Sequence, residues 1–113
     1  MSQITTHILD TTLGNPAQGV TISLFKQDGV DWQKLASSQT NADGRITDLL
    51  HKEDVLPAGN YKMYFDTGAY FKTLGVAAFY PFVEIVFNIA GDGQHYHVPL
   101  LLNPFGYSTY RGS

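Results

Sequence analysis

The sequence predicts an all-β sandwich of seven to eight antiparallel strands with one short helix, formed by a single domain over residues 1–113. Three observations support this prediction. Apolar and polar residues alternate with a period of two in most segments, turn signals recur at short intervals, and only one segment has the pattern of a helix. With 113 residues, the chain is long enough for one hydrophobic core but too short for two domains.

The first half of the chain contains three predicted strands separated by turns. They are residues 4–9, 20–25 and 32–39, with turns at 14–16 and 27–29. In the first strand, Ile4 and Ile8 share one face with Thr6, and His7 lies on the opposite face. The turn Asn41–Gly44 has Asn first and Gly fourth, as a type I turn favours, and it delivers Arg45 at the start of the next segment.

The second half adds the helix and the remaining strands. The predicted strands are residues 61–66, 83–88, 94–102 and 107–111, and the predicted helix is Thr67–Leu74. We expect Thr67 to cap the N-terminus of this helix and Gly75 to follow its C-terminus. Gly91-Asp92-Gly93 is a hairpin signal, so we expect strand 94–102 to return beside strand 83–88.

Composition argues against several classes of protein. Ten acidic residues against seven basic ones give a net charge of −3, which disfavours nucleic acid and acidic membranes as partners. The absence of cysteine excludes disulfides, zinc–thiolate sites and thiol nucleophiles. The longest uncharged apolar run, residues 76–83, is too short to span a bilayer. Residues 1–10 lack a secretion-signal pattern, so we expect a cytoplasmic protein, or a periplasmic one if a leader was removed.

Histidine and arginine are the residues best able to carry chemistry here. His95 and His97 are two apart on a predicted strand and therefore share a face. A zinc site would need a third ligand, which His7 or a carboxylate could supply. Such a pair is more often structural, and an arginine after a turn, such as Arg45, is usually a solvated charge. We assign no role to His51, which lies in a charged loop.

Four segments, in order along the chain, carry a family likeness. They are Thr6–Asp10 (THILD), Thr40–Arg45 (TNADGR), His95–Leu102 (HYHVPLLL) and Gly106–Ser113 (GYSTYRGS). Each is a weak signal alone, but together they closely resemble the 5-hydroxyisourate hydrolases of the transthyretin family. The segment Asp66–Gly75 also resembles the single short helix of that family.

The resemblance implies a transthyretin-like (prealbumin-like) sandwich and an enzyme that needs neither metal nor cofactor. Such an enzyme hydrolyses a small molecule, 5-hydroxyisourate, at a cyclic amide. The product is 2-oxo-4-hydroxy-4-carboxy-5-ureidoimidazoline, on the path from urate to allantoin. The catalytic residues of the family match His7, Arg45 and His97. The substrate-binding set implied by the resemblance is His7, Arg45, Ser108, Tyr110, Arg111 and Ser113.

The resemblance also implies a homotetramer with active sites at the dimer–dimer interface. We expect a strand, a turn and the C-terminal tail not to converge within one small sandwich without support, and a chain end gains order mainly by docking, which favours an oligomer. Two other hypotheses remain open. One is a zinc-dependent hydrolase that uses His7, His95 and His97. The other is a non-enzymatic carrier of the transthyretin type, although the carriers lack the matching histidines, arginine and terminal tetrapeptide.

Overall fold

The computed structural model describes residues 2–112, whose strands form two sheets. Sheet A contains β1 (Ile4–Asp10), β2 (Asn15–Pro16), β5 (Arg45–Ile46), β8 (Tyr96–Asn103) and β9 (Gly106–Thr109). Its order is β2-β1-β8-β9, and β5 also pairs with β1. Sheet B contains β3 (Thr21–Asp28), β4 (Asp31–Gln39), β6 (Gly59–Phe65) and β7 (Val83–Ile89), in the order β4-β3-β6-β7. The helix α1 is Thr67–Thr73.

The predicted alternation of side chains produces the core between the sheets. In β1, Ile4 and Ile8 are fully buried, and Leu100 of β8 packs with them from sheet A. Met63 and Phe65 of β6 are equally buried and belong to the same cluster. Each such side chain stabilises the sandwich by about 1.5–3 kcal/mol of hydrophobic free energy. The core therefore fixes which face of each strand points inward, and the two packed sheets confirm the predicted β-sandwich.

Two features of strand pairing differ from the prediction. Strands β1 and β8 pair in parallel, whereas the other strand pairs between residues 2 and 112 are antiparallel. The predicted hairpin around Gly91-Asp92-Gly93 is wrong, because β7 belongs to sheet B and β8 to sheet A. Gly91 instead allows its backbone to pack closely against Ala58, because a Cβ at Gly91 would lie 2.9 Å from the Ala58 backbone nitrogen. Its φ of +84° also favours glycine.

The helix begins at Thr67 as predicted and ends at Thr73, one residue before the predicted Leu74. Gly75 follows its C-terminus with a φ of +68°, as expected. The prediction that Thr67 is the N-cap is wrong: Asp66 holds that position and makes no side-chain capping bond. Thr67 is the first helical residue and is fully buried, with its hydroxyl oxygen left without a hydrogen-bond partner. No helix within residues 2–112 has the length and apolar character needed to cross a membrane.

Candidate active site

Strand β1 brings the predicted site residues together because it pairs with two other strands. His7 lies opposite Arg45 of β5, and Thr5 lies opposite His97 of β8. Thr6 between them is 1% exposed and faces the core, so Thr5 and His7 lie on the outer face of sheet A. Contrary to the expectation for a single sandwich, the first strand and the turn come together within one chain, whereas Ser113 at the end of the tail lies outside the described residues. The parallel pairing of β1 with β8 and the return of the chain at β5 bring them together.

The turn before Arg45 is held together by its own hydrogen bonds and is hydrogen-bonded to β1. The Asn41 side-chain oxygen accepts hydrogen bonds from the backbone N–H groups of Asp43 (2.9 Å) and Arg45 (3.0 Å). The Gly44 carbonyl accepts from the Ile8 N–H at 2.8 Å. Gly44 has a φ of +70°, and a Cβ there would lie 2.5 Å from the Ile8 carbonyl oxygen. This close approach fixes Arg45 beside His7 and leaves the side chain of Arg45 exposed.

His97 of β8 and His95, which directly precedes this strand, both meet the hydroxyl group of Thr5. The Thr5 oxygen lies 2.8 Å from His97 Nδ1 and 2.9 Å from His95 Nε2. The two rings are nearly parallel, with an interplanar angle of 19° and 6.4 Å between centroids. Sequence reasoning missed Thr5, although the alternation of β1 already placed it on the same face as His7.

Burial and charge favour the neutral form of both candidate catalytic histidines. The pKa of His7 is lowered from its usual 6.5, first by burial and then by the Arg45 charge, while Asp43 opposes the shift. The pKa of His97 is lowered by burial, then by Arg45, His95 and His7, and a hydrogen bond with the Thr5 backbone opposes this. A neutral imidazole near pH 7 can accept a proton, so both rings are suited to act as bases.

The C-terminal tail folds back on His97. The Gly112 N–H donates to the His97 carbonyl at 2.9 Å, and the two residues form an isolated β-bridge. A Cβ on Gly112 would lie only 2.5 Å from Cδ2 of the His97 ring. Glycine is therefore the residue that lets the tail come this close to the imidazole, a role that sequence reasoning did not identify.

The other predicted binding residues do not all lie in one place: Ser108 is on the sheet face, and Tyr110 and Arg111 line a cavity. Ser108 lies opposite Leu101, on the outer face of sheet A, and Tyr110 is 59% exposed. Tyr110, Arg111 and His97 line one open cavity of about 240 Å³ that also contacts β7. The Arg111 guanidinium is already engaged: it lies 4.7 Å from the centroid of the Tyr96 ring and donates to Gln94 Oε1 at 2.5 Å. Ser113 lies outside the described residues.

The histidines of the zinc hypothesis do not form a ligand cluster. Within the part of the chain that the structure describes, no group of three or more His, Cys, Asp or Glu side chains is placed to hold a metal ion. His95 and His97 both direct a ring nitrogen at Thr5, and His7 lies beside Arg45. The geometry instead joins two imidazoles and a guanidinium on one sheet face.

Fold and site together define a two-sheet β-sandwich protein with a His–Arg–His cluster on an outer face, suited to acid–base chemistry on a small polar molecule. The chain belongs to the HIUase/Transthyretin family, whose family model matches residues 4–112. This confirms the family resemblance that the sequence motifs indicated.

Individual relatives show both branches of that family. The chain is 48% identical to a mouse protein named 5-hydroxyisourate hydrolase, over 99% of this chain and 96% of the relative. It is similar to a solved Klebsiella pneumoniae 5-hydroxyisourate hydrolase, with a TM-score of 0.85 and 44% identity over 97% of this chain and 98% of the other. It also resembles sea bream transthyretin in complex with thyroxine, with a TM-score of 0.91 and 34% identity over 97% and 94% of the two chains.

Proposed function

We propose that this protein is a hydrolase that opens 5-hydroxyisourate at a cyclic amide to give 2-oxo-4-hydroxy-4-carboxy-5-ureidoimidazoline in urate degradation. The observation that carries the proposal is the placement of His7, Arg45 and His97 on one face, with both imidazole pKa values lowered. The names of relatives at 42–49% identity over nearly the whole chain support the same activity.

His97 is the base that activates water. Its lowered pKa keeps the ring neutral at pH 7, so it can take a proton as the water oxygen bonds to the amide carbonyl carbon. The carbon–nitrogen bond then breaks, and the leaving nitrogen receives a proton from a histidine. His7 shares or orients this proton transfer, because it lies on the same face and is also held neutral. The net reaction consumes one water and needs no other reactant.

Arg45 binds the substrate and stabilises the charge that develops on the carbonyl oxygen. A guanidinium can donate two parallel hydrogen bonds to a flat, carbonyl-rich ring. Its backbone is fixed by the Asn41 turn, while its side chain is exposed and free to reach the substrate. A guanidinium bound to the carbonyl oxygen stabilises the oxyanion as the charge develops there.

The tail supplies the remaining binding groups. Tyr110 stacks on or hydrogen-bonds the ring, and Ser108 offers a hydroxyl group on the same sheet face. Arg111 forms one wall of the cavity next to His97. The family resemblance adds Ser113, which lies outside the described residues, to this binding set.

We further propose a homotetramer of paired dimers with active sites at the dimer–dimer interface. In one chain, His7 and His97 are only partly buried and Arg45 is exposed, so the cluster faces water. Electrostatic stabilisation is much stronger where water is excluded, which a second copy over this face would achieve. A fully active monomer in light scattering at assay concentration would refute this arrangement.

The direct test generates 5-hydroxyisourate in place with urate oxidase and follows its ultraviolet decay with and without the protein. We expect strong acceleration by the wild type and by His51→Asn, a control in an exposed loop, and near-complete loss in His97→Asn. No acceleration over spontaneous decay would reject the proposed function. A carrier, the alternative suggested by the transthyretin likeness, would tolerate His97→Asn. Loss of activity after exhaustive chelation would favour the zinc hypothesis instead.

A further inference from the structure

The Thr5 hydroxyl group is shared between two imidazole rings. Its oxygen contacts His97 Nδ1 at 2.8 Å and His95 Nε2 at 2.9 Å, both within hydrogen-bond range. Thr5 is only 4% exposed, whereas His95 is exposed and His97 is partly buried. The position of the one hydroxyl proton therefore couples the protonation of the two rings.

Counting protons limits the possible arrangements. A threonine hydroxyl has one proton to donate and can accept hydrogen bonds at its oxygen. Because this hydroxyl is buried, leaving its proton without an acceptor would cost about 1–3 kcal/mol. It therefore donates to one ring nitrogen, and the other ring must donate its own N–H to the hydroxyl oxygen. Only two arrangements of the neutral rings satisfy all three groups.

The two arrangements have opposite consequences for His97. If Thr5 donates to His95, then His97 carries its proton on Nδ1 and keeps a free lone pair on Nε2. If Thr5 donates to His97, the proton of that ring lies on Nε2, and its only basic nitrogen is blocked by the hydroxyl. Only the first arrangement leaves His97 able to take a proton from water.

The surroundings favour the first arrangement. His95 is exposed, so an Nδ1–H on that ring can donate to solvent while Nε2 accepts from Thr5. On the other ring, the Arg45 charge acts on His97, and a guanidinium has donors only. Nε2 is the nitrogen of His97 that Thr5 leaves free, and a lone pair on it can accept from a donor such as a guanidinium, whereas an N–H on it cannot.

We propose that Thr5 and His95 are positioning residues that select the Nδ1–H tautomer of His97 and so leave Nε2 free as the base. This inference deepens the proposed function and rests on it. It gives His95 a defined role: His95 accepts the one hydroxyl proton and thereby keeps it away from His97. Neither Thr5 nor His95 needs to touch the substrate.

The test reads the tautomer directly by long-range proton–nitrogen correlation NMR on histidine-labelled protein. At pH 8 imidazoles with ordinary pKa values are neutral, so each ring reports its tautomer. We expect wild-type His97 to show the Nδ1–H pattern and Thr5→Ser, which keeps the hydroxyl, to match it. Thr5→Val should give a mixed pattern. His95→Phe, which removes the acceptor at an exposed site, should shift His97 to the Nε2–H form.

Kinetics provide a second readout. We expect kcat to fall about tenfold in Thr5→Val and His95→Phe, equivalent to about 1.4 kcal/mol, with KM nearly unchanged. Thr5→Ser should restore the rate. The matched control is Thr21→Val in β3 of sheet B, away from the site, where the hydroxyl accepts an exposed hydrogen bond from Gln39 of the neighbouring strand β4. This control should match the wild type in both measurements.

Failure of this inference can be told apart from failure of the proposed function. An Nε2–H tautomer for wild-type His97, or a Thr5→Val protein with the wild-type tautomer and wild-type kcat, would overturn the positioning role even if the hydrolase activity is present. A wild-type protein that does not accelerate decay of 5-hydroxyisourate would overturn the proposed function, whatever the NMR pattern shows.

Discussion

The Gly112→Ala substitution tests whether the approach of the tail to His97 matters for catalysis. An added Cβ would lie 2.5 Å from His97 Cδ2, 3.1 Å from Cγ and 3.2 Å from the Cβ of His97. Carbon atoms pack best about 3.5–4.0 Å apart, so the ring or the tail must move by about 1 Å. A displacement of this size at a catalytic group can reduce the rate about 100-fold. We therefore expect kcat/KM to fall about 100-fold.

The fold should survive this change because the three atoms nearest to the added Cβ all belong to His97, which is not part of the hydrophobic core. We expect the free energy of unfolding to change by less than about 0.5 kcal/mol in urea titrations. Gly106→Ala is the matched control: the nearest atoms to its added Cβ are those of the Asn103 side chain, at 3.7 and 3.8 Å, which is ordinary contact. Wild-type kcat/KM in Gly112→Ala, measured by the ultraviolet decay of 5-hydroxyisourate, would refute the argument that the tail position constrains His97.

Three further predictions concern charge, pH and stability. Arg45→Met should lower kcat by about 10²–10³ through loss of an oxyanion donor, and a loss below about threefold would contradict that role. The His97 pKa, followed by NMR of its ring protons, should lie below 6.5 in the wild type and rise in Arg45→Met, since the guanidinium charge is one cause of the lowering after burial. A lowered pKa in the folded state means that the unfolded chain binds a proton at His97 more readily. The contribution of His97 to the free energy of unfolding should therefore be constant above about pH 6.5 and should decrease as the pH falls from there towards the folded-state pKa. Urea titrations of the wild type and His97→Asn at several pH values measure this contribution. Tyr70→Phe removes a 2.8 Å hydrogen bond to the buried carboxylate of Asp10 and should destabilise the fold by about 1–3 kcal/mol in urea, with an unchanged midpoint as the contrary result.

Local pattern was sufficient to predict most of the fold. The period of two in β1 placed Ile4 and Ile8 inward and His7 outward, as the structure shows. Local pattern could not predict that β1 and β8 are parallel neighbours, because pairing partners are chosen by long-range packing. The hairpin prediction failed for the same reason: Gly91 has the conformation of a turn residue, but its neighbour is Ala58 and the chain crosses between sheets there.

The candidate site was predicted mainly from the family motifs, and only in part from residue spacing and side-chain chemistry. Spacing alone placed His95 and His97 on one face, but it left a zinc pair and a solvated arginine as equal or better interpretations. Family resemblance selected His97 and Arg45. Neither approach identified Thr5 or the close packing of Gly112, because both depend on which strand and which tail lie next to β8.

The geometry of the site follows from the register that the core imposes on β8. Tyr96, Val98 and Leu100 are at most 7% exposed and face inward, so His95 and His97 must face outward. A slip of one residue would expose all three apolar side chains, each at a cost of about 1.5–3 kcal/mol, and would bury both histidines.

The converse also holds: outer-face residues can change without disturbing the core that aligns them. This explains how the sandwich is shared at a TM-score of 0.91 with sea bream transthyretin at only 34% identity. In such a fold the core determines where a site can lie, and a few outward side chains determine what chemistry it performs. For this chain we propose that those side chains are His7, Arg45 and His97, with the Thr5 hydroxyl group between His95 and His97.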